Sequence, residues 1–310
     1  MTSDPIASLP HGSLVALITP FDARGAIDWP ALKRLIDWHV RSGTRGLVIA
    51  GTTGEASTLD MDEHVELLAQ SSAHANGRIH IMAGVGANAT AEAVHLARMA
   101  QQAGANSLLS VVPYYNKPTQ EGLYRHFSTQ ADATSLPLVL YSVAGRTVVD
   151  LAIPTLQRLA QHPHIQGIKD ASGDLVRAQQ LAAALPSAFV RYSGDDLTAA
   201  PVLAMGAHGI ISVTANVLPA AVQSQCSAIS AGRLAQSLTL VADLFDISQA
   251  LFTETSPIPV KYLASRMGLC DKHLRAPLVP AGPACAQALD HLLAHSSLLA
   301  HARSEYRHKA

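Results

Sequence analysis

The chain has 310 residues, of which 48% are hydrophobic and only 15% charged. That composition supplies a sizeable core and excludes an intrinsically disordered chain. A net charge of −1 and a pI near 6.9 speak against a nucleic-acid surface or a basic membrane patch. The opening MTSDPIASLP has no basic segment followed by an apolar run, and no apolar run reaches membrane-spanning length. Cys226, Cys270 and Cys285 form no CxxC pair, and the fifteen histidines form no HExxH motif or Cys/His cluster. A reduced, cytoplasmic protein is expected, with no metal site and no membrane or nucleic-acid partner.

A unit of about 30 residues then recurs, a β-branched run followed by a helical pattern. Ser13–Pro20 reads as a strand, and Trp29–Ser42 as a helix with Leu32, Leu35, Ile36 and His39 on one face. A strand at Gly46–Gly51 leads to a helix at Asp60–Ala75, where Asp60 can cap and Asp62 and Glu63 favour the positive helix end. The strand His80–Gly86 precedes a helix bounded by Thr90 and Gly104. Strands at Ser107–Tyr115, Leu138–Ala144, Ile165–Ser172, Val190–Asp196 and Gly209–Asn216 complete the series, each with helical sequence behind it. The runs are apolar almost throughout, as for parallel strands buried on both faces.

Eight such units predict an α/β fold, a (β/α)8 TIM barrel, which takes about 250 residues. Residues 1–230 are assigned to the catalytic barrel and 231–310 to appended C-terminal helices, packed on it because no Gly/Ser- or Pro-rich linker intervenes. The rival is a doubly wound dinucleotide fold, suggested by Gly84-Val85-Gly86-Ala87-Asn88-Ala89. That motif requires an acidic residue at the tip of the next strand, and LLSVVPYY has none.

In a barrel, chemistry sits at the C-terminal strand ends and the loops behind them. Those ends give Gly51-Thr52-Thr53-Gly54-Glu55 at the second strand and Pro113-Tyr114-Tyr115-Asn116 at the fourth. Tyr141, with Arg146 shortly after, belongs to the fifth and Lys169 to the sixth. Gly194-Asp195-Asp196 ends the seventh, and Ile211 to Asn216 the eighth. One mouth thus gathers a lysine, Thr and Tyr hydroxyls and an arginine, without a carboxylate pair or a His/Asp relay. Lys169 is one of six lysines against sixteen arginines, and it sits in an apolar strand. A lysine amine condenses with a ketone to an imine, whose protonated form lets the adjacent carbon lose a proton and become a nucleophile. The attacking amine must be neutral, although a free lysine has a pKa of about 10.4. Burial beside Ile165 and Ile168 is expected to lower it. Tyr141 can pass protons, and Thr52 can connect it to a second tyrosine. Thr53 and nearby N–H groups suit one carboxylate, and Arg146 a second, held bidentately. Plainer readings exist: Lys169 paired with Asp170, Tyr114 and Tyr115 as packing aromatics, residues 51–55 as a capped turn, Arg146 on the surface. Convergence on one mouth is what favours chemistry.

GSLVALITPFD from Gly12, GTTGE, GVGANAT, PYYNKPTQEGLY, GIKDASG, YSGDD, AHGI, ISVTAN and PIPVK together resemble the dihydrodipicolinate synthase family over nearly the whole chain. The resemblance implies a Schiff-base lyase of the class I aldolase type in lysine and diaminopimelate biosynthesis. Pyruvate would form an imine with Lys169, and the enamine would attack L-aspartate 4-semialdehyde. Thr52, Tyr141 and a neighbouring subunit's Tyr115 would relay protons. Thr53 would hold the pyruvate carboxylate, Arg146 the semialdehyde, and Ile211 would offer a carbonyl. The assembly would be a homotetramer, a dimer of dimers, without an organic cofactor. Family positions for inhibition by lysine match His64, Asn88, Glu92 and Tyr114, with Met61 where sensitive members carry histidine and Ala56-Ser57 for Ser-Ala. The usual Tyr-Asn-Val-Pro-Ser-Arg-Thr reads Tyr141-Ser142-Val143-Ala144-Gly145-Arg146-Thr147 here, and the usual Glu after the lysine is Asp170. Sister enzymes such as N-acetylneuraminate lyase lack the arginine, so Arg146 favours the synthase. A pyruvate aldolase acting on sugar acids, and a non-catalytic metabolite-sensing barrel, are the alternatives.

Overall fold

The structure is a computed structural model and describes residues 9–309; the leaderless start expected at residues 1–8 lies outside them. Among the described residues the strands are β1 (Gly12–Ala16), β2 (Gly46–Ile49), β3 (His80–Gly84), β4 (Ser107–Val111), β5 (Leu138–Ser142), β6 (Ile165–Asp170), β7 (Val190–Ser193) and β8 (Gly209–Ser212). Each pairs in parallel with the next, and β8 closes on β1 with Leu14 opposite Ile211. The closed barrel removes the doubly wound alternative, and Gly84–Ala89 is only the exit from β3 into the helix Thr90–Gln102.

Because successive side chains alternate, the strands feed two apolar layers. Leu14, Ala16, Val48, Met82, Leu109, Val139, Tyr192 and Ile211 fill the barrel interior. Val15, Leu47, Ile49, Ile81, Leu108, Leu140, Ile168 and Ile210 face the surrounding helices. The helix Trp29–Arg41 buries Leu32, Leu35, Ile36 and His39, as its periodicity predicts, and Asp28 caps it by accepting from Ala31 N. Asp60 caps Met61–Ala75 in a reciprocal capping box with Glu63.

Strands β2 to β8 begin where the sequence pattern places them, but every strand ends sooner. Ala50 takes φ 54°, which turns the chain out of the ladder after β2. Residues Thr214–Asn216 coil into a 3-10 turn after β8. The shortfall always falls at the end where loops build the mouth.

Helix Pro219–Ser230 packs on β1. Helices Leu234–Ala250, Ile258–Met267, Pro283–His295 and Ser297–Lys309 follow, and their Leu251, Leu263, Met267, Leu289 and Leu299 share the apolar cluster of the barrel's outer layer. Tyr306 stands edge-on to Trp38 with ring centroids 5.4 Å apart, so the last helix covers the first.

Burial holds three histidines neutral: the pKa falls to about 3 at His39 and to about 4 at His80 and His126, each through desolvation. The unfolded chain, with histidines titrating near 6.5, then binds more protons than the folded one below that pH. Stability is therefore complete above pH 6.5 and is lost on acidification, by about 1.4 kcal/mol per pH unit for each histidine. Thermal midpoints are expected to drop steeply between pH 6.5 and 5, before carboxylates titrate; a flat profile there would contradict the assignment.

Candidate active site

Lys169 projects from β6 into the barrel, because Ile168 and Asp170 on either side of it face outward. It lies opposite Tyr141 of β5 in the ladder. Both are buried, and the Lys169 Nζ stands 4.2 Å from the centroid of the Tyr141 ring. The structure corrects one expectation and removes one plainer reading. Ile165 and Ile168 belong to the outer layer and do not surround the amine. Asp170 does not pair with it either; its Oδ2 accepts from Arg177 Nε at 2.6 Å. Among the described residues no carboxylate forms an ion pair with Lys169.

Gly194 at the end of β7 makes room for the lysine stem. A Cβ there would stand 2.8 Å from Lys169 Cε, 3.0 Å from its Cγ and 2.8 Å from Ala171 Cβ. The lysine stem can turn aside but Ala171 Cβ cannot, so Gly194→Ala is expected to push the amine off the Tyr141 face and to shift the backbone beside it. Misplacement of a reacting atom by an ångström costs about 100-fold, so kcat should fall by about 10- to 100-fold, with the melting temperature lowered by the contact with Ala171 Cβ. An unchanged kcat would mean that the stem's position is not confined by this wall.

The turn after β2 brings Thr52, half-buried, and Thr53, buried, to the same mouth. Glu55 holds that turn from within, in a left-handed conformation with φ 57°. Its carboxylate accepts from Lys261 Nζ at 2.5 Å and from Arg275 N at 2.9 Å. Lys261 is fully buried, also donates to His273 O at 2.8 Å, and lies 4.1 Å from the Phe21 ring centroid. Desolvation draws its pKa below the usual lysine range, against the opposing pull of Glu55. Arg275 forks onto Glu63 at 2.6 and 2.5 Å. Residues that follow the barrel therefore grip the turn at the mouth of the cavity. GTTGE and PIPVK were visible as separate motifs, but nothing local signals that residues 206 apart in sequence meet as a buried ion pair.

At the seventh and eighth strands, Asp196 is half-buried and its pKa raised by desolvation. It accepts from Ser212 Oγ at 2.5 Å and Val213 N at 2.9 Å. Asn216 accepts from Ile18 N at 3.0 Å and donates to Ala16 O at 2.8 Å. These two residues fasten the loop behind β8 to its neighbours.

A cavity of about 540 Å³ opens above Lys169. Lys169, Tyr141, Thr52 and Thr53 line one end; Met61, His64, Glu92 and Tyr114 line the other; Arg146 stands on its rim. The described hydrogen bonds include none between the Thr52 and Tyr141 hydroxyls. Arg146 belongs to the short helix Ala144–Thr147, is exposed, and donates through Nη2 to Ser256 O at 3.2 Å. His64 Nε2 lies 2.8 Å from Gly84 O, and desolvation keeps its pKa below the usual histidine value. The Tyr114 phenol is pushed up by burial and by the Glu92 charge.

Three expected residues stand outside that lining. Ile211 is buried on the inner face of β8. Asn88 contributes its carbonyl to Asn116 Nδ2 at 2.8 Å. Tyr115 is 91% exposed with φ 73°, a strained backbone for a tyrosine. Among the described residues, no group of three or more His, Cys, Asp or Glu is placed to share a metal ion, and no helix is long and apolar enough to cross a membrane.

The fold and this mouth define the class: a (β/α)8 barrel with a buried lysine at the floor of a cavity on its C-terminal face. A profile of the dihydrodipicolinate synthetase family matches residues 9–296, and the chain belongs to that family. It is 54% identical over 269 residues to the 4-hydroxy-tetrahydrodipicolinate synthase of Azoarcus sp. strain BH72, covering 87% of this chain and 92% of that one. It is 45% identical over 289 residues to the enzyme of that name from Pseudomonas aeruginosa, covering 93% and 99%. The crystal structure of the chloride-inhibited dihydrodipicolinate synthase from Acinetobacter baumannii, complexed with pyruvate, superimposes with a TM-score of 0.92 at 46% identity, over 94% of this chain and 100% of that one. The dihydrodipicolinate synthase of Aquifex aeolicus gives 0.91 at 40% identity, over 93% and 98%.

Proposed function

We propose that this protein condenses pyruvate with L-aspartate 4-semialdehyde to form 4-hydroxy-tetrahydrodipicolinate, in lysine and diaminopimelate biosynthesis. The observation that carries the reading is Lys169 itself, buried, without a carboxylate partner among the described residues, and facing Tyr141 at the floor of the cavity. Its free amine attacks the keto carbon of pyruvate, and loss of water leaves the imine. The imine nitrogen draws electrons, so a methyl proton leaves and the resulting enamine carbon attacks the aldehyde. The product then cyclises and releases the lysine.

Tyr141 and Thr52 carry protons in this scheme, Thr53 and the N–H groups of its turn hold the pyruvate carboxylate, and Ile211 offers its carbonyl. Arg146 receives the carboxylate of the semialdehyde at the rim. Tyr115, exposed and held in a strained conformation, is read as reaching into the mouth of a second copy within a homotetramer built as a dimer of dimers. The covalent imine on Lys169 supplies the electron sink, so the scheme runs without an organic cofactor or a metal, in the cytoplasm and without a nucleic-acid or membrane partner. Lysine is read as a feedback inhibitor at His64, Asn88, Glu92 and Tyr114, weakened by Met61.

The test is pyruvate consumption by the purified protein with aspartate 4-semialdehyde, against cleavage of sialic and deoxy-sugar acids. Turnover of the semialdehyde is expected. Cleavage of a sugar acid without it would replace the reading by a sister aldolase, and pyruvate binding without any turnover would replace it by a sensor.

A further inference from the structure

The loop carrying Arg146 leaves β5 at Ser142 and returns at Leu151. Its two ends are tied together. The Ser142 hydroxyl donates to the Asp150 carboxylate, whose Oδ1 also accepts from Leu151 N at 2.8 Å. Gln120 grips the same return, donating to Asp150 O at 2.7 Å and accepting from Ala152 N at 3.1 Å. The tip is held only in part: Thr147 is buried, with Oγ1 donating to Val149 O at 2.8 Å, and Arg146 Nη2 donates to Ser256 O at 3.2 Å. A side chain at Gly145 would meet nothing within 4 Å, and Val148 takes φ 67° while exposed. Where Arg146 stands therefore depends on its bond to Ser256 O and on what anchors the base of the loop.

That anchor is Arg177, from the helix Leu175–Ala184. Its side chain is only 12% exposed and all three of its nitrogens are engaged. Nε donates to Asp170 Oδ2 at 2.6 Å, Nη1 pairs with Asp150 Oδ2 at 3.0 Å, and Nη2 donates to Leu151 O at 2.8 Å. Asp170 directly follows Lys169 in β6. A guanidinium is a rigid planar fork, so these bonds fix the base of the Arg146 loop relative to the strand of the lysine. Ser142 and Asp170, two departures from the family pattern, both belong to this network.

We propose that Arg177 is a positioning residue that sets the place of Arg146 relative to Lys169, and through it the affinity for the second substrate. This rests on reading Arg146 as the group that receives the carboxylate of the aldehyde. An exclusively structural arginine would lower stability and weaken both substrates together. A positioning arginine weakens one of them, and only while Arg146 is present to be misplaced.

The experiment compares parent, Arg146→Ala, Arg177→Gln and the double variant in steady-state kinetics. Arg177→Gln is expected to raise KM for aspartate 4-semialdehyde by about 10-fold or more, as loss of charge-assisted hydrogen bonds allows, with KM for pyruvate changed by less than about 2-fold. On the Arg146→Ala background the same change should add less than about 2-fold, because the two residues act as one unit. Equal rises on both backgrounds, a parallel rise for pyruvate, or no rise at all would overturn the proposal. If Arg177→Gln does not fold, Arg177→Lys, which keeps the charge but not the fork, carries the same expectation. Ser142→Ala should raise the semialdehyde KM by about 3-fold, and no change there counts against the proposal. A parent without turnover, or an Arg146→Ala variant with unchanged KM, would overturn the functional reading and this inference with it, and both are seen before Arg177 is altered.

Discussion

Lys169→Met is expected to lose turnover by at least about 1,000-fold, as removal of a covalent nucleophile does, while unfolding as cooperatively as the parent. Methionine keeps the reach and volume of the lysine stem against Gly194 and removes only the amine. Melting temperature should hold or rise, because a buried polar group without a carboxylate partner costs free energy. Lys169→Arg should be equally inactive, since a guanidinium stays protonated and cannot form an imine. Arginine is bulkier beside Gly194 and Tyr141, so it should also lower the melting temperature by a few degrees, which separates loss of chemistry from loss of packing. Retention of turnover within about 10-fold of the parent in either variant would remove the nucleophile from Lys169.

Breaking the buried pair between Glu55 and Lys261 should have the largest effect on stability. In Lys261→Met the Glu55 carboxylate stays inside, held by Arg275 N alone. Such a half-removed pair costs about 3–5 kcal/mol, to be read as a lower denaturant midpoint at constant slope. Glu55→Gln combined with Lys261→Met removes the stranded charge and keeps an acceptor for Arg275 N, so the double variant should be more stable than Lys261→Met alone. The two should agree in another respect. Thr52 and Thr53 lie on the turn that Glu55 closes, so KM for pyruvate should rise in both. A loss of less than about 1 kcal/mol in Lys261→Met would mean that this pair behaves like a surface one.

The contrast between these two lysines shows what local sequence can carry. Lys169 was legible because one cation interrupts an otherwise apolar strand, and its place near a strand end puts it at the mouth. Its neighbours were misread, since Ile165 and Ile168 were near in sequence but belong to the other face. Lys261 carried no such sign: its partner lies far away along the chain, and PIPVK reads as an ordinary helix start. The strand exits were illegible for a related reason. Beyond several ladders the chain stays apolar and buried, as at Ala50, Val112 and Val213, and hydropathy cannot separate a buried strand from a buried turn. Capping was different, because the Asp60–Glu63 box is written within four residues. Tyr115 marks the remaining limit. Its exposure and strained backbone describe a residue whose contacts, on the proposed reading, belong to another copy.

The proposed chemistry requires a covalent bond between Lys169 Nζ and the keto carbon of pyruvate. Incubation with pyruvate, reduction with borohydride and peptide mass spectrometry would trap that bond as a secondary amine. A pyruvate-derived adduct on Lys169, absent when borohydride or the lysine is omitted, is the expected result. An unmodified Lys169, or an adduct on one of the other lysines, would contradict it.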